Sequence, residues 1–388
     1  RLNKLCTSFY LKFAMQTSYK MEEEMKKSFS VVLAAAVLMT GLFSGCNKKS
    51  ESKDTKLTKE TMKVGFVYIG VKNDGGYSEA HERGRQAVEA MGIKTAVVES
   101  ISDQDTAACE KAIHDLIDQG CNVIYTNSFG FLEATQNCAK EFPNLYFGHC
   151  SSDASLPNMC SYFGKMYQAR YLAGIVAGKN TKIGKIGYVA AFPIPECIRM
   201  LNAFTLGVKS VNPEATVEVV WTNTWYDPAI EKQGALELLN RGCDVIEQHQ
   251  DTTAPQVAAQ EKGALCLGYN VPTPNAAPKA YLTAPIFDWP VFYTSNVQAI
   301  LDGTWEGKHY WLSASTGIAK LDTLTSLCAP GTQEAVDAVQ VKMMKDEFEP
   351  FTGPIYDNEG NLKIAEGEKM SDKDIWNMMW YVDGVIVK

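Results

Sequence analysis

The sequence has no C-x-x-C pair, no G-x-S-x-G, no H-E-x-x-H and no G-x-G-x-x-G. The first absence removes the spacing of a zinc site or a dithiol redox pair. The second and third remove the nucleophile elbow and the zinc-protease helix, and His81-Glu82-Arg83-Gly84-Arg85 lacks the second histidine. The fourth leaves Gly70, Gly75 and Gly76 without a dinucleotide fingerprint. Positive charge is short: Lys and Arg number 37 against 45 Asp and Glu, a net charge of −8 that argues against a nucleic-acid partner. Histidine is scarce, and none of it pairs with a nucleophile at recognisable spacing. Long apolar runs are missing after residue 43, so no later segment is expected to span a bilayer.

One short apolar run is present, from Val31 to Phe43, between Met25-Lys26-Lys27 and Phe43-Ser44-Gly45-Cys46. A positive start, an apolar centre and small residues before the cut describe an export signal. The run is too short to cross a bilayer, which takes about 20 residues. Cys46 after Ser-Gly is similar to a bacterial lipoprotein box, in which the thiol is acylated; Phe43 stands where Leu is commoner. Residues 47–61 read as a polar tether. The expected organisation is therefore 1–24 upstream, 25–46 a signal ending at lipidated Cys46, and 47–61 tether.

The rest, about 330 residues, exceeds the size at which one core keeps growing, so two domains are expected. Hydrophobic content of 46% with 21% charged residues fits a globular protein. Short apolar runs alternate with helical patterns: strands at 63–69, 94–99, 122–126 and 145–149, helices at 77–91, 103–119 and 131–142. After a helix at 166–179 the rhythm restarts, with strands at 185–190, 216–221, 245–248, 264–268 and 280–284. The second-series helices are expected at 196–211, 228–241, 254–262 and 289–301, and a further helix at 334–348. This repetition predicts an α/β protein of two doubly wound parallel-sheet lobes joined by a hinge. The expected lobes are 62–182 with 287–308, and 183–286 with 309–388. Of the nine cysteines beyond Cys46, Cys150 and Cys160 are one candidate disulfide pair, while Cys121, Cys243 and Cys266 read as small core residues.

Ligands of open parallel sheets sit beyond the carboxyl ends of the strands. The loops there are rich in polar and aromatic groups: Asn73 to Tyr77, Asn127 to Gly130, His149 to Ser151, Phe192 to Glu196, Trp225 to Pro228, Gln248 to Thr252, and Asp288-Trp289. Half belong to each expected lobe, and facing lobes would gather them around one cleft.

From Lys63 to about Val385 the chain resembles the basic membrane protein family, substrate-binding lipoproteins of ABC importers with the type I periplasmic-binding-protein fold. The resemblance rests on KVGFVYIG at 63–70, Asp74-x-Gly76-Tyr77, NSFGF at 127–131, Tyr167-x-x-x-Tyr171-Leu172-x-Gly174, PIPE at 193–196, WYDP at 225–228, QHQDTTAP at 248–255 and PFTGPI at 350–355. It implies a non-catalytic receptor for a purine base or nucleoside, working with a membrane ABC permease. The PIPE, WYDP and QH-x-D-[ST]-T set looks like the branch associated with free adenine. Nucleoside-binding members hold ribose with an Asp and a Lys after two strands of the second lobe. Here those regions read Tyr269-Asn270-Val271 and Pro285-Ile286-Phe287-Asp288, which tilts the reading to a nucleobase.

A purine offers a flat π-face and a coded edge. Tyr77, Phe129, Phe192, Trp225 and Trp289 could stack on it, the competing role for Phe192 and Trp289 being core or hinge packing. Asp74 or Asp251 could accept from an exocyclic amine, with helix N-capping as the competing role. Asn127, Ser128 and Gln248 could read ring nitrogens, and His249, Gly76 and Asp288 lie in the same loops. Asp227 before Pro228 reads as a cap, and His81 and His114 as surface residues. No cofactor and no metal is expected. The alternatives are a receptor for inosine, guanosine or another small polar ligand, and an extracellular nucleoside hydrolase.

Overall fold

The computed structural model describes residues 56–387. The export segment 25–46, Cys46 and the tether up to residue 55 lie outside the described residues. In chain order the elements are β1 (Lys63–Val67), α1 (Tyr77–Ala90), β2 (Lys94–Val98), α2 (Thr106–Asp118), β3 (Val123–Thr126), α3 (Leu132–Glu141), β4 (Tyr146–Cys150) and β5 (Met159–Gly164). Then follow α4 (Met166–Asn180), β6 (Lys185–Ala190), α5 (Pro195–Val211), β7 (Thr216–Trp221), α6 (Pro228–Asn240), β8 (Val245–His249), α7 (Ala254–Glu261) and β9 (Leu265–Cys266). The last part holds β10 (Pro285–Phe287), α8 (Trp289–Asp302), β11 (His309–Leu312), β12 (Ala319–Leu321), α9 (Thr332–Met343), β13 (Ile355–Tyr356), β14 (Leu362–Ile364), α10 (Asp372–Trp376) and β15 (Val385–Val387).

Two sheets organise these elements. The first has the order β11-β5-β4-β3-β1-β2 and the second β15-β7-β6-β8-β9, all neighbours in both being parallel. Strand order reverses at β1 in one sheet and at β6 in the other. Such switch points open a crevice at the carboxyl edge. Helix starts are set locally: Asp105 accepts from the Ala108 amide, and Asp227 from those of Ala229 and Ile230, with Pro228 supplying the first helical φ. Asp227 is thus the cap its sequence context predicts.

Three sequence expectations are corrected. The apolar run Ala280 to Ala284 is buried but is not a strand. Its backbone meets Cys266 in an isolated bridge at Tyr281, and the strand that follows, β10, pairs antiparallel with β12 instead. The expected division at 308/309 falls immediately before β11, which joins the first sheet beside β5. Cys150 and Cys160 are both buried free thiols, as are Cys121, Cys243 and Cys266. The unexpected strand β5 carries few β-branched residues, which hid it.

The largest core cluster runs through α4, α5 and α8 and so joins both sheets. Helix α4 is buried on nearly every side, consistent with a helix covered by both halves. It crosses α5 backbone to backbone: a Cβ on Gly174 would lie 2.0 Å from the Phe204 carbonyl oxygen, and one on Gly207 2.0 Å from that of Tyr171. Among the described residues no helix is long and apolar enough to cross a membrane.

Candidate functional site

The two switch points face each other. Between them lies a cavity lined by Ile69, Tyr77, Ser128, Phe129 and Ser151 from the first lobe and Glu196, Trp225, His249, Asp251 and Tyr269 from the second. Six of these residues were expected from sequence: Tyr77, Ser128, Phe129, Trp225, His249 and Asp251. The lobes touch at its edge. A Cβ on Gly76, just before α1, would stand 2.2 Å from the carbonyl oxygen of Asp251. The Ser151 hydroxyl donates across the gap to Glu196.

The walls are aromatic, and the polar groups near them are held from behind by further hydrogen bonds. Tyr77 Oη donates to the Asn127 carbonyl oxygen at 2.5 Å and lies 3.3 Å from Cys150 Sγ. Asn127 Oδ1 accepts from the Ile69 amide at 2.9 Å, which leaves its buried Nδ2 without a protein partner. Ser128 Oγ donates to Asp103 at 2.8 Å, while the Ser128 carbonyl oxygen takes His149 Nε2 at 3.0 Å. Burial lowers the pKa of His149 to about 4, so its ring is neutral.

His249 is also neutral at pH 7, burial having lowered its pKa to about 4. Its Nε2 is 3.8 Å from Glu196 Oε1, and its Nδ1 has no protein partner. Burial alone would push the Glu196 carboxyl up. Hydrogen bonding to His249, the Arg199 charge and the Ser151 hydroxyl bring it below its ordinary value. Tyr269 meets the His249 ring edge to face at 5.0 Å and carries the Arg170 guanidinium 3.8 Å from its ring centre.

Other sequence candidates take supporting places. Asp74 accepts the amides of Gly76, Ser78 and Glu79 at 2.8–3.0 Å, so it caps α1. Gln248 is spent as a loop brace, donating to the carbonyls of Gln250 and Thr252 and accepting from Gln256. Asp288 pairs with Lys320. Trp289 is fully buried, stacked between His81 at 4.3 Å and Phe287 at 4.5 Å. None of these four borders the cavity. Phe192 packs on Trp225 with ring centres 5.2 Å apart and borders an outer groove that shares Ile69 and Trp225 with the cavity.

His81 corrects another expectation. It is buried beneath Tyr77, with Nδ1 2.7 Å from Tyr293 Oη, because α8 covers this face of α1. His114 is on the surface, paired with Glu141. Ser151 and Glu196 belong to loops expected around the cleft but were not among the ligand candidates, and sequence reasoning missed Ile69 and Tyr269 as cavity residues. All four follow strand ends, the signal that found the others.

Chemically, the cavity offers rings, two carboxyls and an unpaired imidazole nitrogen on His249, and no lysine or arginine borders it. Among the described residues no group of histidine, cysteine and acidic side chains could hold a metal ion.

The model of a family described as ABC transporter substrate-binding protein PnrA-like matches residues 61–349. The chain is 34% identical over 330 residues to a purine-binding protein of Brucella abortus, covering 84% of this chain and 93% of that one. It is 35% identical over 304 residues to a Haloferax volcanii protein provisionally named an ABC transporter glucose-binding protein, covering 78% and 77% respectively. Among solved structures, an ABC transporter solute-binding protein from Aeropyrum pernix shares the fold, with a TM-score of 0.66 at 16% identity across 74% of this chain and 92% of that one. Proteins of this kind bind solutes outside the cytoplasm and catalyse no reaction; the chain belongs to this Bmp family of PnrA-like ABC transporter substrate-binding proteins.

Proposed function

We propose that the protein captures a purine nucleobase, adenine, between its lobes and delivers it to a membrane permease, while Cys46 anchors it to the membrane through a lipid. The observation that carries this reading is the cavity itself, where aromatic faces from both lobes meet two carboxyls and no cation. An anionic ligand would face Glu196 and Asp251 unpaired, at a prohibitive desolvation cost. A flat heterocycle with an amino group suits both the rings and the acids. The purine-binding relative supports this choice. Asn270 stands after β9, in the region where nucleoside-binding members of the resembled family hold ribose with an Asp, which weighs against a nucleoside. Capture works by population shift. A ligand that touches both lobes only when they are closed draws the protein into that state by its differential affinity.

Calorimetry with adenine, guanosine, inosine and glucose tests the reading. Adenine is expected to bind and glucose to give no heat; tight binding of a nucleoside or of glucose with no response to adenine would overturn it. Trp225→Ala is expected to cost about 1–3 kcal/mol, roughly five- to hundredfold in Kd, through lost stacking. For the anchor, Cys46→Ser is expected to move the protein from the membrane to the soluble fraction. Unchanged membrane retention would remove Cys46 from the account.

A further inference from the structure

Asp251 is the least compensated acid of the cleft. It borders the cavity and is only 6% exposed. Among the described residues its side chain takes one long hydrogen bond, from Asn270 Nδ2 at 3.4 Å. Four other acids act on it, and all are better supplied. Asp74, from the loop before α1, takes three backbone amides. Glu231 on α6 takes the Thr252 hydroxyl and amide and the Asp227 amide. Asp103, before α2, takes Ser128 and Gln104. Glu196 on α5 takes Ser151. The remaining titratable groups around the cavity are Tyr77, Tyr226, Tyr269 and neutral His249. The cations of the region are engaged elsewhere, Arg170 by Glu247 and Arg199 by the Trp376 ring and carbonyl.

We propose that Asp251 meets the ligand as an uncharged carboxylic acid, donating from one oxygen to a ring nitrogen and accepting from an exocyclic amine with the other, and so selects adenine over guanine. This rests on the purine reading above. Burial first, then the charges of Asp74, Glu231, Glu196 and Asp103, holds the carboxyl well above its ordinary pKa. A protonated carboxyl is one donor beside one acceptor. Adenine presents the complement, the N7 acceptor beside the N6 amine, whereas guanine shows two acceptors on that edge. An ionised carboxylate has no donor and suits the paired N–H groups of guanine's opposite edge instead.

The sign of the pH dependence follows. The acid form is complete below the raised pKa and is lost as pH climbs through it. Adenine affinity then falls by about tenfold per pH unit, and the adenine-to-guanine ratio falls with it.

The test combines infrared spectroscopy of the adenine-loaded protein at pH 7 with calorimetry on the wild type, Asp251→Ala and Asp251→Asn. The spectrum is expected to show the carbonyl stretch of a protonated acid that shifts on isotopic labelling of aspartate and is absent from Asp251→Ala. Asp251→Ala is expected to weaken adenine by about tenfold or more. Asparagine, with one donor and one acceptor, is expected to recover most of that loss and to abolish the pH dependence of the ratio. Absence of the labelled band, or an Asp251→Asn as weak as Asp251→Ala, overturns the proposal while leaving a purine receptor in place. A wild type that binds neither base overturns the underlying reading. The labelled spectrum of the wild type needs no variant to fold.

Discussion

Gly76→Val is expected to weaken ligand binding by roughly ten- to hundredfold while leaving the melting temperature of the ligand-free protein nearly unchanged. The Cβ would stand 2.2 Å from a backbone oxygen of the other lobe, and backbone cannot turn aside as a side-chain tip can. Overpacking of this kind costs about 1–3 kcal/mol, and each 1.4 kcal/mol is tenfold in affinity. The cost falls only on the closed state. It therefore subtracts from binding and not from the stability of the separate lobes. Small-angle scattering supplies the second readout: saturating ligand should contract the wild type and leave the variant extended. A Gly76→Val protein that binds and closes like the wild type would show that these lobes do not need this contact.

Arg170→Met is expected to destabilise the protein by about 3–5 kcal/mol, and the double change Arg170→Met with Glu247→Leu to restore much of the loss. Both side chains are wholly buried and paired to each other; the guanidinium also donates to the Gln248 carbonyl at 2.8 Å. Removing one partner strands a charge in an apolar surround, whereas removing both leaves a packing problem only. At this chain length the single substitution corresponds to a drop of roughly 4–7 °C in Tm. Thermal melts of the single and double variants decide the matter. A double variant less stable than the single would mean that the pair is net stabilising. The pair also sits between α4 and the strand that leads to His249, so ligand affinity should fall alongside stability in the single variant.

Much of the framework was legible because burial on both faces of a parallel strand writes a continuous apolar run. The edges of β6 and β7 read from sequence are those observed. What was hidden depends on distant partners. His81 looked like a surface residue, and only the packing of α8, some two hundred positions later, shows which side of α1 is inside. Ala280 to Ala284 has the composition of a strand but no long run of neighbours to pair with. In the cleft, the rule that ligand groups follow strand ends pointed to loops that line the cavity. It could not say which way a side chain turns, and so Trp289, Gln248 and Asp288 were expected beside residues they merely support.

The first sheet is not finished when its five leading strands are made. Its sixth, β11, belongs to residues 309–312, after most of the second sheet has been threaded, while the second closes only with β15 at 385–387. No unbroken stretch of polypeptide short of residue 312 contains a whole lobe. During synthesis β5 therefore waits with a bare edge, open to mispairing, until about 150 further residues have left the ribosome. An exported chain of this design has a strong reason to postpone folding until translocation is complete.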